Sequence, residues 1–287
     1  MLVVQSVGLQ AQVAPLIKTA WSQRSPYNDL CPDGMLAGCV AIAMAQVMNY
    51  HQFPAHGIGK SSYTWTNSKT NKHKKLSANY ADTYYRWDDM DGETVSAAQL
   101  IYHCGVSVWM DYSESFSGSS EYYAKSALVD YFGYSDDIKL EARNRYTDEE
   151  WTAMLKDNLD KGWPIIYSSG GHTFVLDGYN DKGLFHTNQG FGYSSTDYTY
   201  TLDGLGSKST STALMNIHPD YTSKANLTEP YLVVYSQDGT ASPIRYSELK
   251  EMRWSPASVT ISTDAGEESV LLNKLSYMKP LVPASVE

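Results

Sequence analysis

Between Cys39 and Phe53 the chain carries no Asp, Glu, Lys or Arg: Cys-Val-Ala-Ile-Ala-Met-Ala-Gln-Val-Met-Asn-Tyr-His-Gln-Phe, then Pro54. An apolar run of this length without strict alternation reads as a helix buried all round rather than a strand. Pro54 marks its end, and Pro32, Asp33, Gly34 and Gly38 mark a loop before it. A wholly buried helix must be wrapped by other elements, which the rest of the chain has to supply.

Residues 14–30 read as an entry strand and turn, and residues 55–92 as long loops with short strands. Residues 94–105 read as a helix, with Ser96 as its cap and Gly105 as its stop. A second helix is expected around 121–132 after the flexible Ser117-Gly-Ser-Ser120. A third opens on the capping box Thr147-Asp-Glu-Glu150 and carries Trp151, Met154, Leu155 and Leu159. After Gly162 the pattern changes to short β-prone runs: 164–168, 173–179, 184–188, 198–202 and 213–217. Helices first and strands later indicate an α+β fold in two halves. The expected layout is a tail over 1–13, a catalytic domain over 14–219 and an extension over 220–287. The catalytic domain divides into a helical half over 14–145 and a β half over 146–219.

With 22 basic and 32 acidic residues among 287, the net charge is −10, which offers no attraction to nucleic acid or anionic membrane. No stretch approaches the roughly 18–20 apolar residues of a membrane span. Met1–Val13 lacks the charged start of a signal peptide, the first basic residue being Lys18. The three cysteines, Cys31, Cys39 and Cys104, cannot all pair within the chain and form no Cys-x-x-Cys zinc motif. At least one thiol is therefore free.

Cys39 stands at the start of the buried helix, where unpaired N–H groups and the helix dipole favour a thiolate. Most free cysteines are small buried hydrophobes, so position alone does not settle its role. His172 follows Gly170-Gly171 and opens a strand, 133 residues after Cys39. Papain-like Cys and His are separated by about 130–150. The other six histidines read as structural. Gln23, 16 residues before Cys39, could join the Cys39 N–H in an oxyanion hole. Asn188, 16 residues after His172, could orient the imidazole, though it also fits a turn before Gly190. The ordered set Gln–Cys–His–Asn is far more specific than any one member.

Five stretches then carry a resemblance. They are Pro15–Gln23 with Ser25-Pro-Tyr-Asn28; Gly38–His51; Gly105–Tyr112 with Ser117–Ser120; Gly170–Gly178; and Phe185–Gly192. Together they resemble the streptopain family of papain-like cysteine peptidases, a bacterial secreted group. The resemblance implies a papain-like fold and a peptidase secreted or held at the cell envelope. Cys39 would be its nucleophile, His172 its base, Gln23 its oxyanion donor and Asn188 its orienter. Gly118 and Gly171 would border the bound peptide through their backbones, and the S2 pocket would accept an apolar side chain.

The implied partners are a peptide or protein substrate and an inhibitory propeptide outside this chain. Residues before Val13 are too few for such a propeptide, so a mature-like form is expected, with no cofactor. A thiolate–imidazolium pair would depress the Cys39 pKa and raise that of His172. The family's Asn-Trp-Gly-Trp pattern stands here as Asn188-Gln189-Gly190-Phe191, so shielding of the Asn–His pair from water rests on Gln189 and Phe191. Two other readings share these residues: an acyl-transfer enzyme of transglutaminase-like type, and an inactive peptidase-derived binding protein.

Overall fold

A computed structural model describes residues 12–91, 94–193, 198–227, 229–237 and 241–282. Most of the expected tail, residues 1–11, lies outside the described residues. The uncharged run forms helix α1, Cys39–His51, with every residue from Cys39 to Met48 buried. Gln52, in the left-handed region at φ 47°, ends it two residues before Pro54. Residues 14–20 form no strand; Val13 alone makes a bridge to Tyr179.

The segment read as loops holds a hairpin of two seven-residue strands, β1 (Lys60–Thr66) and β2 (His73–Asn79). Helix α2 spans Val95–Ser107. Its cap is Thr94, whose side chain accepts from the Ala97 N–H; the Ser96 hydroxyl instead donates to Asp89. Gly105 does not stop the helix. It sits inside because a Cβ there would collide with Tyr112 Oη. Helix α3, Glu121–Asp130, is capped by Ser120. Strand β3 (Lys139–Ala142), unread in the sequence, precedes α4 (Asp148–Asp160), where both hydrogen bonds of the Thr147–Glu150 capping box are formed.

The second half holds β4 (Ile165–Ser169), β5 (His172–Tyr179), β6 (Phe185–Asn188), β7 (Tyr198–Tyr200) and β8 (Thr212–Met215). With β3 they make one antiparallel sheet in the order β3-β8-β4-β5-β6-β7. Side chains alternate between its faces. Ile166, Val175 and Leu214 join the core around α1, whereas Ile165, Tyr167, Phe174, Leu176, Ala213 and Met215 join the core around Trp151, Leu155 and Leu159 of α4. Both faces are therefore covered, which is why these strands read as continuous apolar runs. The architecture is the expected α+β arrangement, with a helical half packed on an antiparallel sheet.

The first core continues past Pro219. Tyr221 packs edge-on against Phe53 at 5.7 Å, and Ala225 is buried in the same cluster as α1. Then come β9 (Tyr231–Ser236), β10 (Ala241–Arg245), β11 (Leu249–Trp254), β12 (Ser258–Thr263), β13 (Gly266–Leu271) and β14 (Leu275–Leu281). They form two three-stranded sheets, β10-β9-β14 and β11-β12-β13, around a small core of Val234, Val259 and Ile261. Arg86 of the helical half docks on this module. Its guanidinium lies 4.4 Å from the Tyr277 ring and 5.1 Å from that of Tyr235, and Lys279 pairs with Asp88 at 3.3 Å. Among the described residues no helix is long and apolar enough to cross a membrane.

Candidate active site

Cys39 is the first residue of α1, and its N-cap is Gly38 at φ 92°. That backbone region favours glycine, and space demands it too. A Cβ at Gly38 would lie 2.5 Å from Met110 Sδ and 3.3 Å from the Ser117 carbonyl oxygen. Gly38 offers no side chain to cap the helix, so the first N–H groups stay available at the end where the dipole favours negative charge. Cys39 is 7% exposed, a buried residue at the floor of a cavity of about 680 Å³. Gln23, Gly171 and His172 line the same cavity.

His172 reaches it through a local device. In the β4–β5 hairpin Ser169 pairs with His172, leaving Gly170 and Gly171 as a two-residue turn with φ 61° and 82°. Two positive φ values define the hairpin turn whose twist matches that of its strands, and glycine meets them without strain. No atom crowds the Cβ position of either glycine, so the Gly171 backbone is open on the cavity side.

The imidazole is held by its far nitrogen. His172 Nε2 lies 2.9 Å from the carbonyl oxygen of Gln189. A carbonyl only accepts, so Nε2 carries the proton and Nδ1 is left as the basic nitrogen. The ring stacks on Phe191, with centroids 4.7 Å apart and planes at 12°, and less closely on Phe174 at 6.0 Å. Burial lowers the His172 pKa below the ordinary histidine value, and the hydrogen bond to Gln189 opposes that shift.

The amide of Asn188 does not meet the imidazole. Its Nδ2 donates to the Thr19 carbonyl at 2.7 Å, and its Oδ1 accepts from the Gly190 N–H at 3.1 Å. Thr19 in turn donates to Gln46 of α1 at 3.0 Å. Asn188 therefore ties the 188–190 turn to the core, and that turn presents the Gln189 carbonyl. The Gln189 side chain points away from the ring and donates to Thr187 Oγ1 at 2.9 Å. Gly190 is required at φ 72°, since a Cβ would lie 2.9 Å from Ile42 of α1.

Gly118 also differs from expectation. Its N–H donates to the Asp111 carbonyl at 3.1 Å, and its own carbonyl accepts from the Asp111 N–H at 2.9 Å. Both main-chain groups are thus engaged within the loop, and Ser115, Phe116 and Ser117 form the cavity wall instead. Of the six candidates, the fold gathers Cys39, His172, Gln23 and Gly171 at one cavity and sets Asn188 and Gly118 behind it.

The remaining lining residues, Ser22, Arg24, Leu36 and Phe191 among them, carried no signal in sequence except Phe191. That residue occupies the second aromatic position of the family pattern. Three other histidines are held by partners away from the cavity: half-buried His51 meets the Ile217 carbonyl, buried His103 meets Tyr85, and buried His186 meets Asp177. Among the described residues no cluster of three or more His, Cys, Asp or Glu is arranged to hold a metal ion.

Comparison with known proteins places the chain in a family. The model of the peptidase C10 family matches residues 21–199. Streptopain of Streptococcus pyogenes is 29% identical over 216 residues, which are 64% of this chain and 54% of streptopain. The thiol protease/hemagglutinin PrtT of Porphyromonas gingivalis is 29% identical over 218 residues, 67% of this chain and 25% of PrtT. The chain thus spans about half the length of streptopain and a quarter of PrtT. Among solved structures, active interpain A, a cysteine protease of Prevotella intermedia, aligns with a TM-score of 0.63 and 32% identity, covering 71% of this chain and 94% of that one. A prointerpain A fragment aligns at 0.66 and 32% identity, covering 73% of each.

Proposed function

Since this chain belongs to the peptidase C10 family, we propose that it is a cysteine endopeptidase that hydrolyses peptide bonds at the Cys39 cavity. The observation that carries the reading is the pinned imidazole: Nε2–H is held by Gln189, leaving Nδ1 as the basic nitrogen of a ring that lines the same cavity as Cys39. His172 takes the Cys39 proton, and the thiolate attacks the substrate carbonyl. The Cys39 N–H and the Gln23 amide hold the oxyanion. His172 protonates the leaving amine, and water then resolves the thioester with His172 again as base. The Gln189 carbonyl favours the imidazolium that forms, as the triad carboxylate or amide does elsewhere. Asn188 serves as the positioning residue behind that carbonyl.

The substrate is a peptide or protein segment lying extended along Gly171 and the 115–117 wall. The organisms of the named relatives support a bacterial setting, which we place outside the cytoplasm. The solved prointerpain fragment supports an inhibitory propeptide as a partner.

The test is labelling with a papain-directed epoxide followed by peptide mapping. A single adduct on Cys39, with peptide cleavage abolished in step and again in Cys39→Ala, is the expected result. An adduct on Cys31 or Cys104, or cleavage persisting in Cys39→Ala, defeats the assignment.

A further inference from the structure

We propose that Arg24 reads an acidic side chain of the substrate on the leaving-group side of the scissile bond, a preference that rests on the peptidase reading above. Among the described residues that line the cavity, Arg24 alone carries a permanent charge. It is exposed, and in a chain with 32 acidic residues it makes no ion pair among the described residues. Its neighbours on the cavity wall are uncharged: Ser22, Gln23, Leu36, Phe116 and Phe191. A guanidinium whose charge is unanswered at the rim of a mostly apolar cleft is a ready partner for a carboxylate, which its planar fork meets with two parallel hydrogen bonds.

The backbone beneath Arg24 is held. Its N–H donates to Ser22 Oγ at 3.3 Å, its carbonyl accepts from the Tyr27 N–H at 3.0 Å, and the Gln23 carbonyl accepts from the Ala37 N–H at 3.0 Å. The same turn is tied to the loop that covers the imidazole, because the Gly192 N–H donates to the Trp21 carbonyl at 3.1 Å. Turn 22–24 and Phe191 therefore form one rim of the cavity. The other rim is residues 115–117, joined to Leu36 through the Leu36 N–H and the Ser113 carbonyl at 3.0 Å. With the acyl part of the substrate placed along Gly171 and residues 115–117, as in the peptidase reading above, the leaving amine departs across the rim that carries Arg24. The side chain it reads belongs to the first or second residue after the scissile bond.

The test uses fluorogenic peptides identical except at those two positions, which carry Asp or Glu, Gln, or Lys. The quantity read is the ratio of kcat/KM for the acidic over the lysine peptide, which is independent of the fraction of protein that is folded. An exposed charge pair of this kind sets the expected wild-type ratio at about fivefold. It should fall to near one in Arg24→Gln, invert in Arg24→Glu and shrink for wild type as salt is raised. A wild-type ratio of one, the same ratio in all three proteins, or a wild-type preference that persists in high salt overturns the role of Arg24. Cleavage of none of the peptides overturns the peptidase reading itself, and this inference with it.

Discussion

At the scale of single residues, the site turns on which atom holds the imidazole. A backbone carbonyl does so here, at Gln189, and no side chain is needed at that position to make the bond. Shielding comes from Phe191, which is 53% exposed yet lies flat on the ring at 4.7 Å. Replacing Gln189 by the family's tryptophan should therefore leave turnover within about twofold, because neither the hydrogen bond nor the covering ring is altered. Phe191→Ala should lower kcat by about tenfold while the Michaelis constant changes less, since water then competes for the Gln189 carbonyl. Steady-state kinetics of the two variants separate these outcomes. A large rise in kcat for Gln189→Trp would show that the glutamine side chain leaves the site under-protected.

Secondary-structure elements matter here through their ends. Three residues of the cavity sit at element termini: Cys39 opens α1, His172 opens β5, and Gly171 closes the turn before it. Glycine makes each junction feasible, and the local signals could be read directly: an uncharged run preceded by glycine, and Gly-Gly before a β-prone segment. Gly38→Ala tests the helix end. The added methyl meets Met110, which is fully buried, at a φ that alanine adopts only with strain. The expected cost is about 1–3 kcal/mol of stability, read from urea unfolding. A loss of cleavage larger than the loss of folded protein should accompany it, because Cys39 is displaced. A fully stable, fully active Gly38→Ala protein would show that the helix start tolerates a different backbone.

For the whole molecule, the division of the chain is open to test. Residues up to Ala225 pack on the core around α1 and Leu227 is buried, whereas β9–β14 have a core of their own. Truncation after Leu227 should keep cleavage of a short peptide within about twofold, because among the described residues none that lines the cavity lies beyond Phe191. Truncation after Asp220 removes Tyr221 and Ala225 from the first core and should lower the unfolding temperature markedly. Equal behaviour of the two truncated chains would place the boundary at Pro219.

Acid should also destabilise the molecule as a whole. Burial pushes both His51 and His103 down to about 4, against roughly 6.5 in an unfolded chain. Below that unfolded value the unfolded chain binds more protons than the folded one. Stability is therefore intact above about pH 6.5 and falls as pH drops toward 4, by roughly 1.4 kcal/mol per pH unit for each histidine. Urea midpoints at pH 7 and pH 5 measure this, and His51→Gln with His103→Gln should flatten the dependence. Equal midpoints at the two pH values would refute it.

Sequence by itself determined the parts whose signals are local. The buried helix follows from its lack of charge, α4 from its capping box, and the histidine strand from Gly-Gly and the apolar run after it. The order and spacing of Gln23, Cys39, His172 and Asn188 point to one chemistry. What sequence left open depends on contacts between distant segments. Asn188 reads as the orienter because its type and spacing suit that role, but its amide donates to Thr19, 169 residues away, and the imidazole meets the Gln189 carbonyl instead. A carbonyl is present at every residue and so has no signature. Gly105 read as a helix stop because glycine usually is one, yet Tyr112 folds over it and makes glycine a packing requirement. Strand β3, four residues long, is defined by its pairing with β8, 70 residues on. Local rules place side chains on elements, and only the packing of those elements decides which polar atom finds which partner.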